Sequence, residues 1–209
     1  MYDYVIVGAG SAGCVLAGRL SEDPGTRVLL LEAGPEDRKL EINIPAAFSK
    51  LFKTGFDWAY ETGQQRHVEN RRLYWPRGKV LGGSSSINAM IYSRPGPADH
   101  TRWEGSGSPG WSWAEVLPYY KRAERNAQGP SALHGGDGPL QVSDPRSTNP
   151  LSHAFLEACA SLGISRNPDL NGASQEGVGF FQVTHAMAND TVRPPRTFGL
   201  RVVGRTSRS

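Results

Sequence analysis

Cysteine is scarce in this 209-residue chain, which carries only Cys14 and Cys159. Two thiols cannot staple a disulfide scaffold, and their spacing fits no zinc pattern, so no metal site is expected. Long apolar runs are missing as well, and none approaches the roughly 20 residues of a membrane-spanning helix. Met1 leads straight into a strand-like segment with no basic-then-apolar leader. The expectation is therefore a soluble, cytoplasmic protein without a signal peptide. Fibrous, membrane-spanning and disulfide-rich classes are excluded. What is plentiful is glycine and proline, 25 and 15 residues, a high share that still falls short of low complexity. With 38% apolar residues, a chain of this length can bury a core in one large domain or two small ones.

A dominant charge is also lacking, since 23 Lys and Arg face 20 Asp and Glu for a net +3. The isoelectric point near 9.0 invites a nucleic-acid reading, and the distribution of charge removes it. Residues 193–209 hold five arginines and no acid, and without them 18 basic residues face 20 acidic ones. The basicity belongs to the tail alone, so no nucleic-acid partner is expected.

The chain opens on Tyr2-Asp-Tyr-Val-Ile-Val-Gly8, a β-branched and aromatic run that reads as a buried strand. Gly8-Ala-Gly10-Ser11-Ala12-Gly13 follows at once, then a helical stretch from Cys14 to Leu20. A turn at Asp23–Thr26 leads into a second strand, Arg27-Val-Leu-Leu-Leu-Glu32. This β-α-β unit carries the dinucleotide fingerprint. Gly8 permits the tight turn, Gly10 lets a diphosphate approach the backbone, and Gly13 lets the helix pack closely on the strand. The helix N-terminus offers unpaired N–H groups and a positive dipole end. Glu32, 19 residues past Gly13, is placed to accept hydrogen bonds from a ribose diol and would repel a 2′-phosphate. The fingerprint alone leaves FAD and NAD both open. Cys14 reads as a small buried residue rather than a reactive thiol.

Past Glu32 a regular nucleotide fold would continue with another helix and strand. Instead Ala33-Gly-Pro-Glu36 opens a long irregular stretch, which ends in Arg77-Gly-Lys-Val80-Leu-Gly-Gly83-Ser84-Ser-Ser-Ile-Asn88-Ala89-Met90-Ile91. Consecutive small residues with backbone N–H and hydroxyl donors have the chemistry of a phosphate or flavin cradle, bracketed by the charges of Arg77 and Lys79. A flexible linker would have the same small residues, but not the apolar flanks Leu81, Ile87, Met90 and Ile91.

These elements, in this order, resemble the glucose–methanol–choline (GMC) family of flavin-dependent alcohol oxidoreductases, and most closely its choline dehydrogenase-like branch. The resemblance rests on the Gly8–Gly13 turn, Leu31-Glu-Ala-Gly34, Trp58-Ala-Tyr60 and Arg77–Asn88. It continues through Pro97-Ala-Asp99, Trp103, Pro109-Gly-Trp111, Leu117–Tyr120, Glu124, Gly136–Leu140 and Glu176–Gly179, covering about residues 2–185. It implies a Rossmann-like α/β (α+β) FAD-binding domain over 1–140 and the start of a substrate-binding domain over 141–185. It also implies FAD as cofactor, with Gly8, Gly10, Ser11, Ala12 and Gly13 at the diphosphate and Glu32 and Ala33 at the adenosine ribose. Val80, Gly83, Ser84, Asn88, Ala89, Met90 and Ile91 would lie beside the flavin. Some relatives bear a histidine covalently attached to FAD where Ile87 stands, so FAD is expected to be noncovalent here. Pro95 and Thr101 replace a glycine and an acid found in many members.

The implied reaction is oxidation of a small-molecule alcohol by hydride transfer to flavin N5, with oxygen, a quinone or another carrier as acceptor. The family's histidine base lies in a C-terminal region that this chain does not match. None of His67, His100, His134, His153 and His185 falls in a matching motif. They read as surface or loop histidines, and no catalytic residue is assigned. The five tryptophans, Trp58, Trp75, Trp103, Trp111 and Trp113, read mostly as packing residues, with a minority lining a substrate route.

Ser112-Trp-Ala-Glu115 is a capping box that opens a helix through about Arg125, kinked by Pro118. Asn149-Pro150 starts another helix, with Leu151, Phe155, Leu156, Cys159 and Leu162 at helical spacing and Gly163 at its end. Strands are expected at Gly138–Ser143 and Gly177–Thr184. From about Ala186 the resemblance fails. Residues 186–209 are expected to be an unmatched basic tail translated out of frame, on an N-terminal fragment that exposes apolar surface. The alternative is a non-catalytic, flavin-binding or functionless remnant whose basic tail binds an anionic partner.

Overall fold

Tyr4-Val-Ile-Val7 forms β1, and Val28-Leu-Leu-Leu31 forms β2. They pair in parallel from Tyr4 opposite Val28 to Val7 opposite Leu31. A parallel pair needs a crossover, and α1 (Ser11–Leu20) supplies it. Helix α1 turns only Gly13 and Ala17 fully inward, four residues apart on one face. With no bulk there, the helix settles onto Ala9 and Leu30, and Ile6, Cys14, Val28 and Leu81 pack around them. The expected β-α-β unit is present, but β1 is not a buried strand. Tyr4, Val5 and Val7 are 49%, 57% and 83% exposed, because this sheet has only two strands among the described residues.

The computed structural model describes residues 1–184. The expected basic tail at 186–209, and His185, lie outside the described residues. Within the described part the chain divides into two compact units, residues 1–89 and 90–184.

Beyond β2 the first unit is irregular, as the sequence implies. A short helix α2 (Leu40–Asn43) runs into a 3-10 helix at Pro45–Leu51. Then β3 (Tyr60–Glu61) pairs antiparallel with β4 (Tyr74–Trp75). A second core joins Leu51, Val80 and Ile87, all nearly fully buried, with Ile42, Phe52 and Phe56 against them. That core fixes the segment leading to the glycine–serine run.

In the second unit β5 (Ile91–Tyr92) pairs antiparallel with β8 (Gln182–Val183). Between them come α3 (Pro97–Gly105), α4 (Trp113–Ala123), β6 (Glu124–Asn126), β7 (Leu140–Val142) and α5 (Pro150–Ser161). The Ser112–Glu115 capping box opens α4, which continues through Pro118 and stops at Ala123, because Glu124–Asn126 pairs in parallel with Leu140–Val142. Asn149 caps α5 by accepting from the Leu151 N–H at 2.9 Å, and Gly163 follows at φ +84°, as the spacing predicts. The apolar face of α5 is mostly uncovered, however. Leu156 is buried, while Leu151, Phe155 and Leu162 are 77%, 63% and 81% exposed.

Candidate functional site

The first unit brings two glycine-rich segments together. Gly8 leaves β1 at φ +96°, in the left-handed region that favours glycine, and its N–H is held by the Leu31 carbonyl at 2.8 Å. Gly10 caps α1 with no side chain to satisfy the first-turn amides, and no acid stands in that turn. Those amides are left without a side-chain cap, and together with the helix dipole they have the chemistry of anion donors. A Cβ on Gly13 would lie 2.0 Å from the Gly8 carbonyl oxygen, which is why only glycine lets helix and turn approach this closely. Gly8 faces open space, so the outer surface of the turn is bare backbone.

The second segment arrives from 70 residues further along. Gly82 donates to the Ala9 carbonyl at 2.8 Å, and Gly10 and Gly82 form a parallel bridge. Gly83, at φ +58°, lies so close that a Cβ on it would be 2.7 Å from the Gly10 Cα. Gly83–Ser86 then turns as a short 3-10 helix. Its hydroxyls are engaged locally: Ser85 donates to Gly82 O at 2.6 Å, Ser86 to Leu81 O at 2.8 Å, and Ser84 accepts from Gly78 N at 3.1 Å. This is a folded cradle rather than a linker.

Glu32 braces the same corner. One carboxylate oxygen accepts from Ala9 N at 2.7 Å and the other from Gly34 N at 2.9 Å. The acid thus ties the end of β2 to the Gly8–Gly10 turn. Gly34 is pressed against the Lys79–Val80 backbone, where a Cβ would sit 2.1 Å from Lys79 carbonyl atoms. Ser11, Ala12, Ala33, Ser84, Asn88 and Ala89 are exposed, while Val80 is wholly buried in the second core. Met90 and Ile91 begin the second unit; Met90 sits at φ +58°, and Ile91 opens β5. Arg77 lies over Trp75 and Lys79 over Trp58, 5.2 and 4.5 Å from the ring centres.

The Cys14 thiol donates to the Ala9 carbonyl at 3.2 Å, and burial pushes its pKa up. It is a packing thiol, as the sequence implies.

Two histidines read as surface or loop residues are buried instead. His100 on α3 is fully buried: Nδ1 meets the Trp111 carbonyl at 3.0 Å and Nε2 the Tyr120 hydroxyl at 3.3 Å, with Trp103 and Trp113 packed on its ring. His134 is 8% exposed and is clamped between Glu124 Oε1 and Asp169 Oδ2, both at 2.9 Å. Glu124 also accepts from Asn126 Nδ2 and Gly135 N, each at 2.9 Å, and Arg94 lies 3.9 Å from its other oxygen. Arg94 in turn donates to Leu133 O and Asn171 O. Lone polar letters give no sign of such a network; the only sequence hint is the glycines around it, since a Cβ on Gly135 would be 1.8 Å from Lys121 O. The tryptophans pack less than expected, with Trp58, Trp75, Trp103 and Trp111 between 38% and 52% exposed.

No helix among the described residues is long and apolar enough to cross a membrane. Residues 2–194 match the GMC oxidoreductase family profile, nine residues beyond the expected end at 185. The alcohol dehydrogenase [acceptor] of Pseudomonas putida is 52% identical over 186 residues, covering 88% of this chain and 34% of the relative. The mitochondrial choline dehydrogenase of Homo sapiens is 50% identical over 191 residues, covering 88% and 32%. The crystal structure of pyridoxine 4-oxidase from Mesorbium loti superposes with a TM-score of 0.83 at 42% identity, covering 89% of this chain and 37% of that one. The chain spans about a third of the length of the curated relatives it matches. With its glycine turn, its cradle and its N-terminal β-α-β unit, the chain belongs to the FAD-dependent GMC oxidoreductase family.

Proposed function

We propose that this chain is the FAD-binding portion of an oxidoreductase acting on the CH–OH group of a small-molecule alcohol. The observation that carries the reading is the meeting of the Gly8–Gly10 turn with Gly82–Gly83 at backbone contact. Beside that juxtaposition stand first-turn amides with no side-chain cap and a Gly8 with nothing near its Cβ position, which is the chemistry a diphosphate needs. In this reading Gly8, Gly10, Ser11, Ala12 and Gly13 hold the diphosphate, and Glu32 and Ala33 bound the adenosine ribose. Val80, Gly83, Ser84, Asn88, Ala89, Met90 and Ile91 form the flavin side. Val80, being fully buried, acts as support beneath the cradle rather than as an open surface.

Bound FAD supplies a hydride acceptor for alcohol oxidation. The chain's own residues bind and orient it. No histidine is assigned to take the alcohol proton; His100 and His134 are committed to their buried partners. Residues 1–140 and 141–185 are proposed as the FAD-binding domain and the start of the substrate-binding domain; of the tail expected at 186–209, only the part beyond residue 194 lies outside the family match. A choline-like or other alcohol substrate, noncovalent FAD and a cytoplasmic location belong to the same reading. The mitochondrial name of the human relative is that protein's own.

The test is direct. Purified chain is titrated with FAD and followed by flavin fluorescence, then denatured to release intact flavin. Saturable, noncovalent uptake is expected, with no bleaching of the flavin when choline or a primary alcohol is added to this chain alone. A folded protein by circular dichroism that takes up no FAD refutes the proposal.

A further inference from the structure

Asp57 is a buried carboxylate that neither the glycine turn nor the cradle accounts for. It is 6% exposed and accepts four hydrogen bonds. Oδ1 takes the Ala59 N–H at 2.9 Å and the Arg77 N–H at 3.0 Å; Oδ2 takes the Lys53 N–H at 2.9 Å and the Tyr74 hydroxyl. Three backbone segments and one side chain thus converge on a single group. Two of the donors are strained. Lys53 and Ala59 stand at φ +56° and +48°, a region that non-glycine residues seldom occupy. Such strain persists only where surroundings over-determine it, and it gathers at functional places. Here the carboxylate is what holds it.

The clamp leads to the cradle through a short line of contacts. Residues 56–58 pair with 77–79: Trp58 N donates to Arg77 O and Lys79 N to Phe56 O, both at 2.8 Å, with Asp57 bridged to Gly78. Gly78 then touches the cradle itself. Its N–H donates to Ser84 Oγ at 3.1 Å, and a Cβ on it would lie 2.1 Å from the Gly83 carbonyl oxygen. Gly83 is the residue pressed on Gly10. We infer that Asp57 is a positioning residue. By fixing Arg77 and Gly78, it sets where Gly83 and Ser84 stand against the Gly10 turn, and so whether the pocket for the FAD diphosphate is formed before the ligand arrives. The inference rests on the FAD reading above.

Four donors require an ionised acceptor. Burial alone would raise the Asp57 pKa, but the Tyr74 hydroxyl and the Lys53, Ala59 and Arg77 amides outweigh it and hold the carboxyl below its usual 3.8. The neighbouring charges are turned onto rings: Lys53 over Tyr74, Arg77 over Trp75 and Lys79 over Trp58. The clamp is therefore complete above the ordinary carboxylate value of 3.8 and is lost as pH falls through the lower folded value.

The experiment uses the whole chain, its Asp57→Asn variant and its Tyr74→Phe variant. Amide hydrogen exchange is read at 77–84, with amides of β1, α1 and β2 as the folding control, alongside FAD affinity as a function of pH. Asp57→Asn should speed exchange at 77–84 at least tenfold, leave the β-α-β amides protected and weaken FAD binding about tenfold or more. Tyr74→Phe removes one donor of four, so its acid loss of FAD affinity should begin at higher pH than in the parent. The Asn variant should lack that acid limb. If Asp57→Asn unfolds the chain, Tyr74→Phe still decides the matter. Unchanged exchange at 77–84 together with unchanged FAD affinity in either folded variant overturns the inference. If the parent chain takes up no FAD while Asp57→Asn still loosens 77–84, the FAD reading fails and the clamp survives.

Discussion

Helix α1 contains two glycines that should respond in opposite directions to the same methyl group. At Gly13 an added Cβ would meet the Gly8 carbonyl oxygen at 2.0 Å and its carbon at 3.1 Å. The obstacle is backbone, so about 1 Å of movement between helix and turn is needed to restore contact, against typical overpacking costs of about 1–3 kcal/mol. Gly18 sits on the same helix with nothing within 4 Å of its Cβ position. There alanine gains helix propensity, worth about 0.5–1 kcal/mol. Gly13→Ala and Gly18→Ala should therefore differ by roughly 1.5–4 kcal/mol in opening free energy, from the same two ranges. Exchange of the Ile6 and Leu30 amides reads that quantity inside the β1–β2 pair. FAD affinity should fall at least tenfold in Gly13→Ala, because the shift displaces the Gly8–Gly10 turn, and stay level in Gly18→Ala. If both variants match the parent, or if Gly18→Ala is the more damaging, the close approach of helix and turn is not what Gly13 provides.

Three further outcomes follow from the hydrogen bonds. Glu32→Gln cannot accept on both sides, so one of the Ala9 and Gly34 N–H groups loses its partner; a loss of about 1–3 kcal/mol is expected, read by urea melts and a weaker FAD titration. His134→Leu leaves Glu124 buried without its ring partner, which should cost about 3 kcal/mol; tryptophan fluorescence melts of the second unit check it, and a shift under about 1 °C would contradict it. Tyr92 is pushed up to about 12, by burial first and then by the Glu124 charge, with Tyr120 adding and Arg94 opposing. The native state then keeps a proton that the unfolded chain gives up above about pH 10. Its contribution is whole below that pH and is lost between 10 and 12. Tyr92→Phe should remove this segment of the alkaline unfolding curve.

The first 32 residues were open to sequence reasoning because composition and glycine spacing agree there. A β-branched run ends at Gly8, a helical stretch follows Gly13, and the glycines fall where a turn and a close packing need them. Capping residues made α4 and α5 equally plain, because Ser112 and Asn149 act through neighbours two or three residues away. Burial was harder to read. An apolar pattern states which face a strand or helix would hide, not whether anything lies against it. Val5 and Val7 on β1, and Leu151 and Phe155 on α5, fit their patterns and remain exposed. Exposed side chains of this kind favour association.

The candidate site divides along the same line. Residue types identify a turn that could face a phosphate and a run that could wrap one. What makes them a single site is the contact of Gly10 with Gly83, and that contact is set by elements with no phosphate chemistry of their own. The Leu51–Val80–Ile87 core packs against the run, and Asp57 holds the segment that enters it. Neither has a motif to find, because a carboxylate that accepts backbone amides can do so from almost any sequence. The buried Glu124–His134–Asp169 cluster is the counter-case. It gathers the residue types that motif reasoning prizes, yet each acidic and ring atom in it already serves the packing of β6 and the loops beside it. Chemistry-bearing residues mark a site only when some of their bonding capacity is left over. Among the described residues that surplus lies at the uncapped first-turn amides of α1, not at His100 or His134.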